Sequence, residues 1–193
     1  MIRWLVAAAL GLGMLAERPA EAASLPPVDF GDQPIVGLGV GANQALTAGG
    51  SLSIDVPLGS RLLLGGAVAS TIGGQFNYDL RGVYRLVEGS RETPAIGGMV
   101  GLWGAPGMAG FQLPVAAAPF VGFALAYAAT DQINVRLNLA YSPFFDYGPS
   151  EFLGFIGGPP VSGLEVGYRL TPNLEATIGI NGRGDFARVN YAF

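Results

Sequence analysis

The chain has 193 residues and a formal net charge of −4; half of it is hydrophobic, only 12% is charged, and Gly occurs 31 times. So little charge excludes intrinsic disorder, and the glycines lack the G-X-Y period of collagen. There is no Cys and no His, and all ten basic residues are Arg. That excludes disulfide frameworks, thiolate metal sites, His-dependent hydrolases and Schiff-base chemistry, and an acidic chain without a basic stretch has no footprint for nucleic acid.

In chain order, Met1-Ile2-Arg3 is a short basic start and Trp4 to Ala16 is an apolar run. That run is too short for a bilayer core of about 30 Å. Ala20-Glu21-Ala22 follows as an A-x-A site. Residues 1–23 are therefore expected to be a cleaved signal peptide, a buried core helix being the plainer alternative. Residues 24–34 (SLPPVDFGDQP) are Pro-rich and aperiodic, and read as a periplasmic lead-in linker.

Residues 35–193 alternate with the period of strands. The clearest case is 132–142, where Ile133, Val135, Leu137, Leu139 and Tyr141 share one face and Gln132, Asn134, Arg136, Asn138 and Ser142 the other. Similar alternation occupies 75–85, 164–170, 174–181 and 186–193. Gly-rich versions occupy 35–43, 47–56, 61–71, 94–103 and 117–128. The connections at 57–60, 88–91, 130–131 and 171–173 are tight, whereas the alternate set includes both long loops, 104–116 and 143–160. Every second connection of an antiparallel meander lies at the same end. The expected fold is all-β: an antiparallel up-and-down transmembrane β-barrel of ten strands, with eight as the alternative.

Which face lies inside decides the surroundings. A soluble barrel turns its apolar face inward, and a membrane barrel turns it toward lipid. Three features favour lipid. Charge is too scarce for a water-facing surface. Tyr78, Tyr84, Tyr127, Tyr141, Tyr168, Tyr191 and Phe193 fall toward strand ends on the apolar face. A closed barrel also satisfies every backbone group, as hydrocarbon requires. A soluble periplasmic barrel binding a small apolar ligand is the competing expectation.

The leader, the alternating strands, turns such as Leu170-Thr171-Pro172-Asn173-Leu174 and the closing Val189-Asn190-Tyr191-Ala192-Phe193 together resemble the small bacterial outer-membrane β-barrel proteins. In that family the last strand ends in an aromatic residue preceded by apolar residues at alternate positions. Val189, Tyr191 and Phe193 match, and the resemblance makes them an assembly signal. It implies an outer-membrane location, membrane lipid as surroundings, and barrel assembly machinery and periplasmic chaperones as biogenesis partners. It implies no single activity.

The face opposite the apolar one gathers Asp55, Asp79, Arg81, Arg85, Arg136, Glu165, Arg169, Glu175 and Arg188, five Arg against four carboxylates. Inside a small barrel such charges must pair. A structural salt-bridge ladder is expected, with a narrow passive pore for small solutes as the alternative. A catalytic carboxylate pair, Asp79 with Glu165 or Glu175, has no supporting motif. Loop 143–160 carries Phe144, Phe145, Tyr147, Phe152 and Phe155, which read either as an external patch for a ligand or partner of unknown identity or as rim anchors. Loop 104–116 is apolar and suits a plug or the membrane rim. The expected role is non-enzymatic, structural or surface-interacting, without metal or cofactor.

Overall fold

The computed structural model describes residues 25, 27–42, 48–72, 76–105, 115–144, 159–182 and 185–193. They contain ten strands: β1 (Ile35–Ala42), β2 (Ala48–Leu58), β3 (Leu62–Thr71), β4 (Phe76–Val87), β5 (Ala95–Ala105), β6 (Val115–Ala128), β7 (Ile133–Tyr141), β8 (Gly163–Thr171), β9 (Leu174–Asn181) and β10 (Asp185–Ala192). Each pairs antiparallel with its sequence neighbours, and β1 pairs with β10, so the sheet closes on itself. The barrel is the ten-strand form, not the eight-strand alternative. Closure removes the free edges that would otherwise leave backbone N–H and C=O groups unpaired. No helix occurs among the described residues, and so none that could cross a membrane.

The connections at 59–61, 88–94, 129–132 and 172–173 lie at one end, where β1 begins and β10 finishes. We call this the turn end. Gly59, at φ 79°, supplies the left-handed residue of the first of these turns. The connection expected to be tight at 88–91 is longer, 88–94, and is folded locally by Ser90, whose backbone N–H donates to Thr93 O at 2.8 Å. The opposite end carries the long connections. Of these, 106–114 and 145–158 lie outside the described residues, as do residues 1–24 and the expected signal peptide within them.

Alternation along each strand sorts the side chains into two shells. In β2, Leu52, Ile54, Val56 and Leu58 are exposed while Ser51, Ser53 and Asp55 are buried. In β7, Asn134, Arg136, Asn138 and Ala140 are buried, and the apolar residues between them face outward. In these strands the polar residues face the centre and the aliphatic ones cover the outside.

The segment read as a lead-in linker enters the barrel. Leu25, Val28 and Phe30 are 0%, 1% and 3% exposed, whereas Asp32 and Gln33 are exposed at the turn end. Pro34 O accepts the Phe193 N–H at 3.1 Å, so the two termini of the sheet are tied together there. Val28 and Phe30 join one apolar cluster with Leu63, Val83, Met99, Trp103 and Phe120.

Candidate functional site: the barrel interior

The interior charges form clusters, and each cluster crosses a strand at a glycine. Asp55, Gly65 and Arg81 stand in register on β2, β3 and β4. With no side chain on Gly65, Arg81 reaches over β3 to Asp55: Arg81 Nε lies 3.1 Å and Nη2 2.9 Å from Asp55 Oδ1, and Nη2 lies 2.8 Å from Oδ2. Arg81 Nη1 also donates to Asp79 Oδ1. A Cβ at Gly65 would run into Asp55 Oδ1 and Cγ. One guanidinium therefore serves two carboxylates, all three groups buried. Such an arrangement is stable only when complete, because an isolated charge in low dielectric is costly.

The second cluster joins β7 and β9 across Gly167 of β8. Arg136 makes a two-pronged contact with Glu175, Nη1 to Oε1 at 2.6 Å and Nη2 to Oε2 at 3.0 Å. Asn134 Nδ2 donates to the same carboxylate at 3.2 Å. A Cβ on Gly167 would lie 2.7 Å from Glu175 Cδ. Arg136 Nε also faces Asp29 Oδ1 at 3.5 Å, an ion-pair distance longer than a good hydrogen bond. Glu165, beside Arg136 in the β7–β8 register, accepts from Asn181 Nδ2 and from the Leu25 backbone N–H, both at 3.1 Å.

Arg188 of β10 reaches across β1 at Gly37. Its Nη1 donates to Ser51 Oγ at 3.0 Å and its Nη2 to Ser53 Oγ at 2.5 Å. A Cβ at Gly37 would lie 2.8 Å from Ser53 Oγ and collide with Arg188 itself.

Nearer the turn end, Arg85 is only part-buried and holds the inserted segment. Nε donates to Val28 O at 2.8 Å, Nη2 donates to Phe30 O, and the guanidinium sits 4.2 Å above the Phe30 ring centroid. Arg169 donates to Asp131 O at 3.1 Å at the same end. The nine residues singled out from the sequence thus divide. Asp55, Asp79 and Arg81 form one group, and Arg136, Glu165 and Glu175 another. Arg188 binds hydroxyls, Arg85 holds the inserted segment, and Arg169 braces a turn. Asp79 is not brought together with Glu165 or Glu175: its ion pair is with Arg81, and that of Glu175 is with Arg136.

Residues not singled out from the sequence complete the interior: Asn134 and Asn181, the hydroxyls of Ser51 and Ser53, Val28 and Phe30, and Trp103. The inward glycines carried a signal. Gly37, Gly65 and Gly167 each separate polar residues on the two flanking strands once the pairing register is drawn. Among the described residues, no group of three or more His, Cys, Asp or Glu could hold a metal ion.

Of the loop aromatics, Phe144 is exposed; Phe145, Tyr147, Phe152 and Phe155 lie outside the described residues. Val189, Tyr191 and Phe193 all face outward on the β10 face, 47%, 49% and 58% exposed, and the last two rings stack at 6.3 Å. No protein-family model matches this chain, and no curated protein matches its sequence.

Proposed function

We propose that this chain is a non-enzymatic β-barrel of a bacterial outer membrane, with a closed interior and a structural or surface-interaction role. The observation that carries the reading is the inversion of its two shells. Leu38, Val40, Leu52, Ile54, Leu80, Val100, Phe123, Ile178 and Ile180 are all exposed on the outer wall, while Asp55, Asp79, Arg81, Arg136, Glu165, Glu175 and Arg188 are buried. A water-soluble barrel with this arrangement would expose an apolar surface far beyond the few hundred Å² tolerated by monomeric soluble proteins. Lipid accepts it.

The aromatic side chains add support. Tyr84, Tyr127, Tyr168, Tyr191 and Phe193 lie toward the turn end, and Phe76, Tyr141 and Phe186 toward the other, all outward and exposed. Two such bands fit the two interfaces of a bilayer. Phe76 and Tyr84 are eight residues apart on β4. At about 3.3 Å per residue this is roughly 26 Å along the strand, comparable with an apolar band of about 25 Å before tilt is taken off.

A passive pore is less well supported than a sealed barrel, because the inserted segment, the ion clusters and the apolar cluster together occupy the interior. The outward Val189, Tyr191 and Phe193 suit recognition by barrel assembly machinery. The test is outer-membrane isolation followed by electrophoresis with and without heating. A closed membrane barrel enters the detergent-soluble fraction and migrates faster unheated than heated. Recovery in the aqueous fraction without detergent would refute the membrane reading.

A further inference from the structure

The segment that enters the barrel runs from the turn end toward its middle. Pro34 is tied to Phe193 at that end. Further in, Arg85 donates to Phe30 O and Val28 O, and Asp29 faces Arg136. Deepest of all, the Leu25 N–H donates to Glu165 Oε2 at 3.1 Å, and Leu25 is fully buried. Glu165 stands six positions along β8 from Thr171, where that strand reaches the turn end. At about 3.3 Å per residue the turn end is roughly 20 Å away along the strand, or about 15 Å along the barrel axis at the usual tilt.

Toward the other end, the chain just before β8 covers this side of the interior. Pro159, Pro160, Val161 and Ser162 are all buried, and Val161 joins the apolar cluster that contains Val28 and Phe30. Ser162 Oγ accepts the Ala140 N–H at 3.1 Å and Ser162 O accepts the Gly182 N–H at 2.9 Å, which pins this piece between β7 and the end of β9. Chain leading from Leu25 to the amino terminus therefore starts from an enclosed place. The A-x-A site Ala20-Glu21-Ala22 is just upstream. Cleavage after Ala22 or Ala23 consumes one water, leaves a carboxylate on the leader and leaves a protonated amine on Ala23 or Ser24. Extended chain covers at most about 3.6 Å per residue, so this amine stays within about 7 Å of the Leu25 nitrogen, half the distance back to the turn end. Glu165 accepts there from two neutral amides, Leu25 N–H and Asn181 Nδ2, and an ammonium brought beside them adds a charge-assisted bond.

We propose that the ammonium created by leader removal is enclosed in the lumen and meets Glu165, a charge contact that only the processed chain can make. This rests on the expected leader and not on what surrounds the outer wall. The chain contains no Lys, so the α-amine is the sole amine of the processed protein. It is therefore followed with a bulky sulfonated N-hydroxysuccinimide ester, with intact mass and peptide mapping giving the extent and place of labelling. The protein used is the full-length chain processed in its own membrane and held in detergent micelles, where both barrel ends meet the reagent.

The folded wild type should react about a hundredfold more slowly than the same protein unfolded in urea, because the amine is reached only through local opening. Glu165→Gln, which keeps the shape and removes the charge, should raise the folded-state rate about tenfold. Arg85→Gln, which loosens the inserted segment near the turn end, should raise it as well. Heat-modifiable migration of each variant reads barrel closure separately. A folded wild type that reacts as fast as the unfolded chain would overturn the enclosure. A Glu165→Gln barrel that reacts no faster than the wild type would overturn the contact with Glu165. A purified barrel whose mass still includes residues 1–22 would overturn the leader on which both rest. The amine reads the same way in a barrel recovered without detergent, so a failure of the membrane reading is seen apart from a failure of this one.

Discussion

The two sides of the barrel interior solve the same packing problem with different chemistry. On β3 to β6 the wall is mostly Leu63, Val83, Met99, Trp103, Phe120, Ala124 and Ala126, with Asp79 and Arg81 of β4 as charged exceptions, and a segment of the chain itself, Val28 and Phe30, lies against the apolar part. On β7 to β10 and round to β2 the wall is Asn134, Arg136, Glu165, Glu175, Thr177, Arg188, Ser53 and Asp55, all buried. The apolar wall offers the inserted segment a dry surface for Val28 and Phe30. The polar wall meets the same segment through polar contacts, the Leu25 N–H donating to Glu165 and Asp29 facing Arg136, while its own long side chains reach one another over the glycines of an intervening strand. The contrast implies unequal tolerance. The polar wall should fail when one partner is lost, and the apolar wall should weaken in proportion to the volume removed.

The largest effect should come from breaking the polar wall at its hub. Arg136→Met removes the cation facing Glu175 and Asp29. Leaving one carboxylate buried without its partner should cost about 4 kcal/mol, measured as the shift in the urea-unfolding free energy of the barrel in lipid vesicles. The double variant Arg136→Met with Glu175→Leu should recover most of that loss, since an apolar pair of similar volume needs no counter-charge. A double variant no better than the single would mean that the interior is wet enough to screen the lone carboxylate.

The apolar wall should respond less steeply and should also report on sealing. Phe30→Ala removes a buried ring and the face on which Arg85 rests, and should cost about 3 kcal/mol in the same assay. Deleting residues 25–33 takes away the inserted segment itself. Purified full-length protein should be silent in planar bilayers and the deletion variant should conduct small ions. Equal conductance by both would show that the segment does not seal the lumen.

How far the fold was legible follows the same division. In β7 every inward residue up to Asn138 is polar and every outward one apolar, so polarity alone gives both the strand and its orientation. In β5 and β6 both faces are apolar and polarity does not alternate: Met99, Trp103 and Phe120 face inward beside Gly97, Gly101, Ala118 and Ala124, and the outward residues are apolar as well. The strands remain visible there, but the dry character of that wall does not. The inserted segment was illegible for another reason. It has no period, and its contacts are with residues distant in sequence, such as Arg85, 57 positions from Val28. Charged partners could be gathered from the alternation, but their grouping depends on register and on which intervening residue lacks a side chain.

That last dependence gives a test of intermediate size. Gly65→Ala adds a single methyl where Asp55 Oδ1 and Cγ now lie, and the register leaves Arg81 no other route to Asp55. Overpacking of this kind should cost about 2 kcal/mol. The same change at Gly98, on the outer wall, should be within about 0.5 kcal/mol, because its Cβ meets no atom within 4 Å. Equal effects at the two glycines would show that the interior one is not a crossing point for the ion cluster.

The smallest effect should belong to an ion pair that resembles the interior ones in geometry alone. Arg91 Nη2 lies 2.7 Å from Asp131 Oδ1 and links two connections at the turn end. This is as short as the contacts of Arg136 with Glu175, yet the two side chains are 84% and 81% exposed. Water already solvates both charges, and holding two long side chains together opposes the modest attraction that remains. Arg91→Gln should therefore change the unfolding free energy by no more than about 0.5 kcal/mol, and what change there is should vanish in high salt. A loss approaching that of Arg136→Met would locate the stability of this barrel in its turns, and the contrast between its two interior walls would then not be what sets its tolerance to substitution.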